Sequence, residues 1–152
     1  MKVLFVAPFD GITGGIMRWA EHIYNYYQGI SDAGIVIDKC SIGRNYVVKA
    51  DKLITRIISA FIDYSHTIRN YRNALRKDSY DIAHISTSAS LSLIKDLLMI
   101  RIAHKYGAKT VVHFHFGRIP ELQKRNNWEW KLIKRVLSLS DSAIVMTENS
   151  YR

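Results

Sequence analysis

A turn rich in glycine is the first feature of the sequence that could bind a ligand. Gly11, Gly14 and Gly15 stand between a short apolar run and a segment with a helical pattern, in a chain that has only eight glycines. Glycine lets the backbone adopt positive φ and come close to a ligand, and the following helix would offer unpaired N–H groups to a diphosphate. The spacing fits neither G-x-G-x-x-G nor the P-loop, which disfavours a dinucleotide or ATP. The alternative is a purely structural turn that lets the helix pack on the strand.

Two histidines lie in a second candidate region, residues 111–118. Because side chains alternate along a strand, His113 and His115 are predicted to share one face, with His115 and Arg118 nearest the carboxyl end. An imidazole there could hydrogen-bond a sugar hydroxyl or a phosphate oxygen, or act as a general acid or base, and Arg118 could bind an anion. The alternative for His113 is a hydrogen-bonded position in the core.

A third group of polar residues accompanies another predicted strand. His84 lies within this strand, and the hydroxyls of Thr87 and its serine neighbours follow at its end. These hydroxyls could cap the next helix or hold a hydroxylated ligand. A metal site formed by His84, His113 and His115 is a further alternative, but no Cys, Asp or Glu at a suitable spacing supports it.

Five strand-like runs alternate with helical patterns and must position these residues. The runs at 2–7, 109–116 and 142–147 are almost continuously apolar, which is typical of strands covered on both faces. We therefore predict an α/β fold of the Rossmann-like kind, with a doubly wound, mostly parallel sheet and helices on both faces. The predicted strands are residues 2–7, 35–40, 81–86, 109–116 and 142–147.

The predicted helices are residues 17–28, 51–76, 91–105 and 120–139. The second has an apolar stripe that Arg72 would interrupt if one helix ran straight through it, so we predict a kink or break near residues 64–67. Ligands of a doubly wound sheet bind at the carboxyl ends of its strands. The glycine turn, Thr87 and His115 are all expected at that edge.

Length and composition limit the class of protein. A chain of 152 residues is expected to form one domain, residues 1–152. Cys40 is the only cysteine, which excludes an internal disulfide and favours a reducing compartment, so we expect a cytoplasmic location. No apolar run in the sequence approaches the ~20 residues that are needed to span a bilayer.

Two segments carry the net charge of +9. Residues 44–77 contain eight basic and two acidic residues, and residues 118–135 contain six basic and two acidic residues. Such segments suit an anionic partner such as lipid head groups, a phosphorylated substrate or nucleic acid, or they form a solvated basic surface. The apolar stripe in the first segment suits either a membrane interface or packing on the sheet. In the second segment, Trp128 and Trp130 are candidate interfacial anchors, although burial of at least one is expected.

Three stretches together resemble the amino-terminal half of family 4 glycosyltransferases, which have the GT-B fold. They are MKVLFVAPFDGITGGIMRWAEHIYNYY, YDIAHISTSASLSLIKDLLMIRIAHKYGAKTVVHFHFGR and LSLSDSAIVMTENSYR, and the resemblance extends over nearly the whole chain. Its most specific features are the Gly14-Gly15 turn, the Asp81-x-x-His84 strand and the His-x-His115 strand, together with Ser140-Asp141 before the last strand.

The resemblance implies transfer of a sugar from a nucleotide-sugar to a glycan or lipid-linked acceptor, usually with retention of anomeric configuration. It implies no tightly bound metal or cofactor, and the nucleotide-sugar is the donor substrate. Thr13, Gly14 and Gly15 would form the loop that approaches the donor diphosphate. His115 would be the catalytic residue, in contact with the transferred sugar or the leaving phosphate. Contacts with the acceptor or the sugar would come from His84, Thr87, Arg118 and Glu148.

In that family a carboxy-terminal domain holds most of the nucleotide site, and we expect it to be absent from these 152 residues. The chain alone is therefore expected to be inactive, either as a truncated form or as one subunit of a split enzyme. Its expected partners are the donor-binding domain or subunit, the acceptor and, as a peripheral contact, the inner face of the membrane, with no specific nucleic acid. The alternative is a non-catalytic Rossmann-like adaptor that binds anionic lipid or nucleic acid.

Overall fold

Five parallel strands form the central sheet of the protein. They are β1 (Lys2–Ala7), β2 (Val36–Ser41), β3 (Ile82–Thr87), β4 (Lys109–Phe114) and β5 (Ser142–Val145). The computed structural model describes residues 1–10, 14–30, 34–42 and 53–150 and, for residues 53–61 and 149, the backbone alone. The five predicted strands are all present, although β4 and β5 end earlier than the sequence predicts.

The strand order is β2-β1-β3-β4-β5. The chain moves from β1 outward to β2 at one edge, returns past β1 to β3, and then continues to β5 at the opposite edge. Connections therefore leave β1 and β3 in opposite directions, which opens a crevice above their carboxyl ends. The fold is an α/β fold with a doubly wound parallel sheet, as predicted.

Helices cover both faces of this sheet, which the sequence also predicts. Within the described residues they are α1 (Gly15–Gln28), α2 (Leu53–Lys77), α3 (Ser92–Lys105), α4 (Ile119–Arg125) and α5 (Trp128–Leu139), followed by a 3₁₀ turn (Glu148–Ser150). Phe5 is buried with Ala20 of α1 on one face of the sheet. On the other face, Val6 is buried with side chains of α2, α3 and α5, and this is the larger part of the core.

The predicted break in the long helix is wrong, because α2 continues without interruption through residues 64–67. The sequence pattern predicts that Arg72 lies within the apolar stripe. In the structure Tyr71 is completely buried and Arg72 is exposed. A stripe that contains Ile68, Tyr71 and Leu75 continues along a single helix, so no break is needed to expose the arginine.

The predicted helix at residues 120–139 is two helices, α4 and α5, which is a second correction. Asn126 adopts a left-handed conformation (φ 45°) and ends α4. The side chain of Asn127 then accepts a hydrogen bond of 3.0 Å from the Trp130 amide and caps α5. Asparagine tolerates the left-handed conformation and is a good N-cap, so this pair ends one helix and starts another.

None of the helices in the described part of the chain combines the length and apolar character that a membrane crossing requires. Trp130 packs partly against the larger core, whereas Trp128 is 52% exposed. Of the two candidate interfacial tryptophans, Trp130 therefore has a role in the core, and Trp128 lies on the surface.

Candidate functional site

The crevice above the carboxyl ends of β1 and β3 has a volume of about 290 Å³. Its lining includes Ile16 at the start of α1, Ser86 at the end of β3 and Ser92 at the start of α3. It therefore lies at the edge where the sequence predicts ligand binding, between the first turns of two helices. Such crevices at a reversal of strand order are the usual ligand sites of open α/β sheets.

At the start of α1, the described residues leave open space beside Gly14 and Gly15. Gly14 is the N-cap and has an extended backbone (φ −143°, ψ 173°), and no side chain of the described residues caps the helix. A Cβ added to Gly14 or Gly15 would meet no atom within 4 Å, and the amides of Gly15 and Ile16 donate to no partner among the described residues. Packing among the described residues would therefore allow a side chain at Gly14, and so would its extended backbone conformation. Gly11 and Thr13, which belong to the predicted loop, lie outside the described residues.

The turn from β3 to α3 is strained and closely bonded. Ala89 and Ser90 have φ of 72° and 62°, in the left-handed region that costs a non-glycine residue ~1–2 kcal/mol. The Ala89 amide donates to Thr87 Oγ1 (3.3 Å), and Ser92 Oγ donates to the Ala89 carbonyl (2.6 Å). Thr87 is only 2% exposed, and its hydroxyl bonds within the turn; it does not cap α3, whose N-cap Leu91 has no side-chain cap hydrogen bond, so the predicted capping role is wrong. Backbone strain of this kind concentrates at functional sites.

A buried ion pair below this turn is the part of the site that the sequence analysis missed. Lys95 lines the crevice, and its side chain is 6% exposed. Its Nζ lies 2.8 Å from Oδ1 of Asp96, a side chain with no exposure at all. The two atoms are close enough for an ion pair but are not aligned as a hydrogen bond, and neither oxygen of Asp96 has a hydrogen-bond partner in the described structure. The signal in the sequence was a lysine and an aspartate on the inward face of a helix that also buries Met99.

The three strand histidines form an aromatic cluster with Trp19 on the α1 face of the sheet. The rings of His113 and His115 stack with centroids 3.9 Å apart, and the Trp19 ring lies 4.7 Å from each. His84 is 5.6 Å from His113 and packs against Phe5 at 5.0 Å. The sequence prediction that His113 and His115 share one face agrees with this packing.

Burial keeps these imidazoles uncharged. Burial, with smaller contributions from the nearby His113 and His115, lowers the pKa of His84 to about 4. Burial, with a contribution from His113, also lowers the pKa of His115 to about 4. Each ring is therefore neutral at pH 7 and carries one donor and one acceptor nitrogen. His115 Nε2 lies 3.2 Å from Ser86 Oγ, whereas His84 Nε2 and His113 Nδ1 are buried without a partner in the described structure.

Arg118 and Glu148, predicted to contact acceptor or sugar, are placed elsewhere. Arg118 Nη2 donates to Glu129 Oε1 at 2.9 Å, and the Ser90 amide donates to the same oxygen at 2.9 Å. The arginine thus connects the start of α4 to α5 and to the strained turn. Glu148 is an exposed residue of the 3₁₀ turn that follows β5. Neither is among the described residues that line the crevice.

No group of three or more His, Cys, Asp or Glu residues in the described ranges is arranged to hold a metal ion. His84, His113 and His115 do converge, but as packed rings rather than as a ligand set. The crevice is lined by serine hydroxyls, a buried ammonium group and Ile16 at the N-terminus of α1, and the neutral imidazole of His115 contacts one of these serines, Ser86. These groups suit the binding of a polar, phosphorylated ligand.

No protein-family model matches the chain, and no curated protein matches it. Among solved structures, it is similar to a conserved protein from Enterococcus faecalis V583, with 10% identity, coverage of 95% of this chain and 91% of that chain, and a TM-score of 0.47. The fold class stated above depends on the strand pairing of the chain itself. The resemblance to family 4 glycosyltransferases is not tested by these comparisons and stays a prediction.

Proposed function

We propose that the chain is the acceptor-side domain of a retaining glycosyltransferase, which moves a sugar from a nucleotide-sugar to a glycan or lipid-linked acceptor. The observation that carries the proposal is the open glycine turn at the crevice. Positive φ accounts for glycine at Gly34 and Gly107, whereas Gly14 and Gly15 do not have it, and the described residues place no atom within 4 Å of a Cβ added at either position. The unfilled space beside Gly14 and Gly15 fits a ligand that approaches the backbone closely.

The chemistry of this turn suits the diphosphate of a nucleotide-sugar. The amides of Gly15 and Ile16 have no described acceptor, and they stand at the N-terminus of the 14-residue helix α1. Such a terminus carries a partial positive charge of about +0.5, which stabilises phosphate oxygens. In the proposal the donor diphosphate binds these amides across a cleft that the donor-binding domain completes.

His115 is the proposed catalytic residue at the acceptor side of the cleft. It follows the last residue of β4, and its Nε2 lies 3.2 Å from the hydroxyl of Ser86, which lines the crevice. Because its pKa is lowered to about 4, the imidazole is neutral at pH 7. A neutral ring can hydrogen-bond a hydroxyl of the transferred sugar or an oxygen of the leaving phosphate, which is its role in the proposal.

A donor-binding domain or subunit is the partner in this proposal. An apolar groove of about 380 Å³ lies on the α1 face, with Trp19, Val111 and Ile144 in its lining. Ile144 of β5 is 40% exposed. Apolar surface of this kind supports a chain that works with a second protein unit.

The exposed surface of α4 and α5 supports a peripheral contact of a cytoplasmic enzyme with the membrane. Trp128 is 52% exposed there. The exposed cations around it are Lys124, Arg125, Lys131, Lys134 and Arg135. An exposed tryptophan among lysines and arginines suits an interface of anionic lipids.

The test combines the chain with a donor-binding domain, linked or as a separate subunit, and measures nucleotide-sugar binding by calorimetry and sugar transfer with labelled donor. Gly15→Asp is expected to abolish both, because a carboxylate would repel the diphosphate from the α1 amides. Asn25→Asp, which adds the same charge at an exposed position of α1, should leave both within about twofold. If the combined protein binds no nucleotide-sugar, the proposal fails.

The same basic surface favours a second candidate function, a non-catalytic adaptor that binds anionic lipid. An adaptor would bind acidic vesicles with an affinity that falls steeply with salt, because that binding is electrostatic. It would also tolerate Gly15→Asp without loss of vesicle binding. Transfer that depends on Gly15, with only modest vesicle affinity, would exclude the adaptor.

A further inference from the structure

Lys95 is the most unusual charged residue of the crevice. Its side chain is 6% exposed, although lysine is almost never buried without a charged partner. It belongs to the second turn of α3, and it lines the crevice together with Ser86, Ser88 and Ser92. Sequestering an ammonium group from water is costly, and this one lies at the ligand edge of the sheet.

The internal partners of Lys95 do not use all of its hydrogen-bonding capacity. An ammonium group has three N–H donors. Nζ contacts Asp96 Oδ1 at 2.8 Å and the sulfur of Met99 at 3.7 Å, and thioether sulfur is a weak acceptor. Among the described residues, at least one donor therefore remains for a ligand in the crevice.

The hydroxyls around Lys95 indicate which ligand would use that donor. Ser88 is exposed at the mouth of the crevice, and Ser86 is buried beside the imidazole of His115. Serine hydroxyls near a cation can donate to the oxygens of a phosphate group. Of the buried ion pair, Lys95 lines the crevice and Asp96 is not among its described lining residues, so a ligand meets the ammonium before the carboxylate. An anionic group is thereby favoured, and a purely apolar ligand would leave the remaining donor of the ammonium without a partner.

We infer that the crevice is a phosphate-binding subsite, in which Lys95 pairs with a phosphate monoester of the acceptor and the hydroxyls of Ser86 and Ser88 lie beside it. The assignment of that phosphate to an acceptor rests on the proposed function, whereas the binding of phosphate does not. The subsite is next to His115 through Ser86, so the bound acceptor would lie beside the imidazole. Its volume of about 290 Å³ is near the lower end of the range of about 300–1,000 Å³ for ligand pockets. It would therefore accept one phosphorylated sugar unit or a lipid phosphate head group.

The experiment uses the 152-residue chain alone. Inorganic phosphate, a hexose phosphate, the same hexose without phosphate, a hexuronate and a short-chain lipid phosphate are titrated at constant ionic strength. Binding is followed by backbone amide chemical shifts and by the unfolding midpoint. Phosphate and the phosphorylated ligands should shift the amides of Ser88, Ser92 and Lys95, and the unphosphorylated hexose should not. The relative affinities of hexose phosphate and lipid phosphate identify the source of the phosphate.

Two variants test the geometry. Ser88→Asp places a negative charge at the exposed mouth and should weaken phosphate binding at least tenfold, whereas Ser138→Asp on the exposed surface of α5 should change it less than twofold. The double variant K95M/D96N removes both buried charges together, so that neither is left without a partner, and should also weaken binding at least tenfold.

The results distinguish the subsite from the proposed function. Absence of phosphate binding, equal binding by Ser88→Asp and Ser138→Asp, or a preference for the hexuronate over the hexose phosphate would overturn the subsite. If the chain binds phosphate as described but the combined protein binds no nucleotide-sugar, the subsite stands and the transferase proposal fails. If nucleotide-sugar binds and phosphate does not, only the subsite is lost.

Discussion

The rings of His113 in β4 and of His115, which directly follows β4, stack with their centroids 3.9 Å apart and an interplanar angle of 24°. Residues two apart on a strand point to the same side, so the stack follows directly from the sequence pattern. Trp19 of α1 closes over both rings at 4.7 Å. Two protonated imidazoles at this separation would repel each other in a partly buried site. Protonation of these rings is therefore expected to destabilise the cluster.

Stability should fall as the pH drops from about 6.5 to about 4. Burial lowers the pKa of His84 to about 4 in the folded protein, against about 6.5 in an unfolded chain. Between these values the unfolded chain binds a proton that the folded protein excludes, so the free energy of unfolding decreases as the pH falls and levels off for this residue below about 4. The loss is at most about 3 kcal/mol for His84. Urea unfolding at pH 7, 5.5 and 4.5 measures it.

Two substitutions test whether His84 causes this pH dependence. His84→Phe keeps a ring against Phe5 and removes the group that titrates, so its unfolding free energy should depend less on pH over this range than that of the native protein. His66→Phe changes an exposed residue of α2 and should leave the slope unaltered. An identical slope in the native protein and in His84→Phe would show that this histidine is not the source.

Gly15→Ala should leave the fold intact and impair only the binding of a donor. A Cβ at Gly15 meets no described atom within 4 Å, and alanine is the better helix residue, so the unfolding midpoint should stay the same or rise slightly. Gly107→Ala provides the contrast, because Gly107 has φ 81° after the end of α3 and the substitution should lower stability by ~1 kcal/mol. Thermal unfolding compares the two. A large loss of stability in Gly15→Ala would mean that the turn has a structural role after all.

The sequence was informative where one local pattern determines the structure. Continuous apolar runs located the strands, and alternation along residues 111–118 placed His113 and His115 on one face. It was less informative where conformation depends on contacts from elsewhere. Ala89 and Ser90 adopt positive φ although neither is glycine, the residue that would have indicated such a conformation. The Ser90 amide donates a hydrogen bond to Glu129, which belongs to a helix distant in the sequence.

The burial of Lys95 and Asp96 in the candidate site could not be predicted from the sequence either. Their neighbours in α3 have a clear apolar pattern, and charged residues are normally assigned to the exposed side of such a helix. Both are buried, because each is charge-paired with the other beneath the crevice. Asn126 and Asn127 likewise look like ordinary polar positions of one amphipathic helix, and only the left-handed backbone at Asn126 divides it.

Arg118 should contribute to stability rather than only to ligand binding. It donates at 2.9 Å to Glu129, which is 7% exposed and is also the acceptor for the Ser90 amide. Arg118→Met leaves a buried carboxylate with one neutral donor and should lower the free energy of unfolding by about 1–3 kcal/mol. The double variant R118M/E129Q should recover part of the lost free energy of unfolding, because the neutral amide oxygen can still accept a hydrogen bond from the Ser90 amide. Lys124→Met, at an exposed position of α4, is the matched control in urea unfolding, and an equal effect of both substitutions would contradict the prediction.

The thiol of Cys40 should be unreactive in the folded protein. The residue is 6% exposed on the inner side of β2, and burial raises its pKa to about 11, with the charge of Lys95 acting in the opposite direction. Only the thiolate attacks disulfide reagents, so a residue that is both buried and protonated at pH 8 reacts through unfolding. With an aromatic disulfide reagent, we expect labelling to be slow in buffer and complete within minutes in concentrated urea. K95M/D96N removes the charge that favours the thiolate and should raise the pKa of Cys40 further when the thiolate absorbance of the folded protein is titrated. Rapid labelling of the native protein in buffer would show that Cys40 is open to solvent and that this part of the core is less closely packed than described.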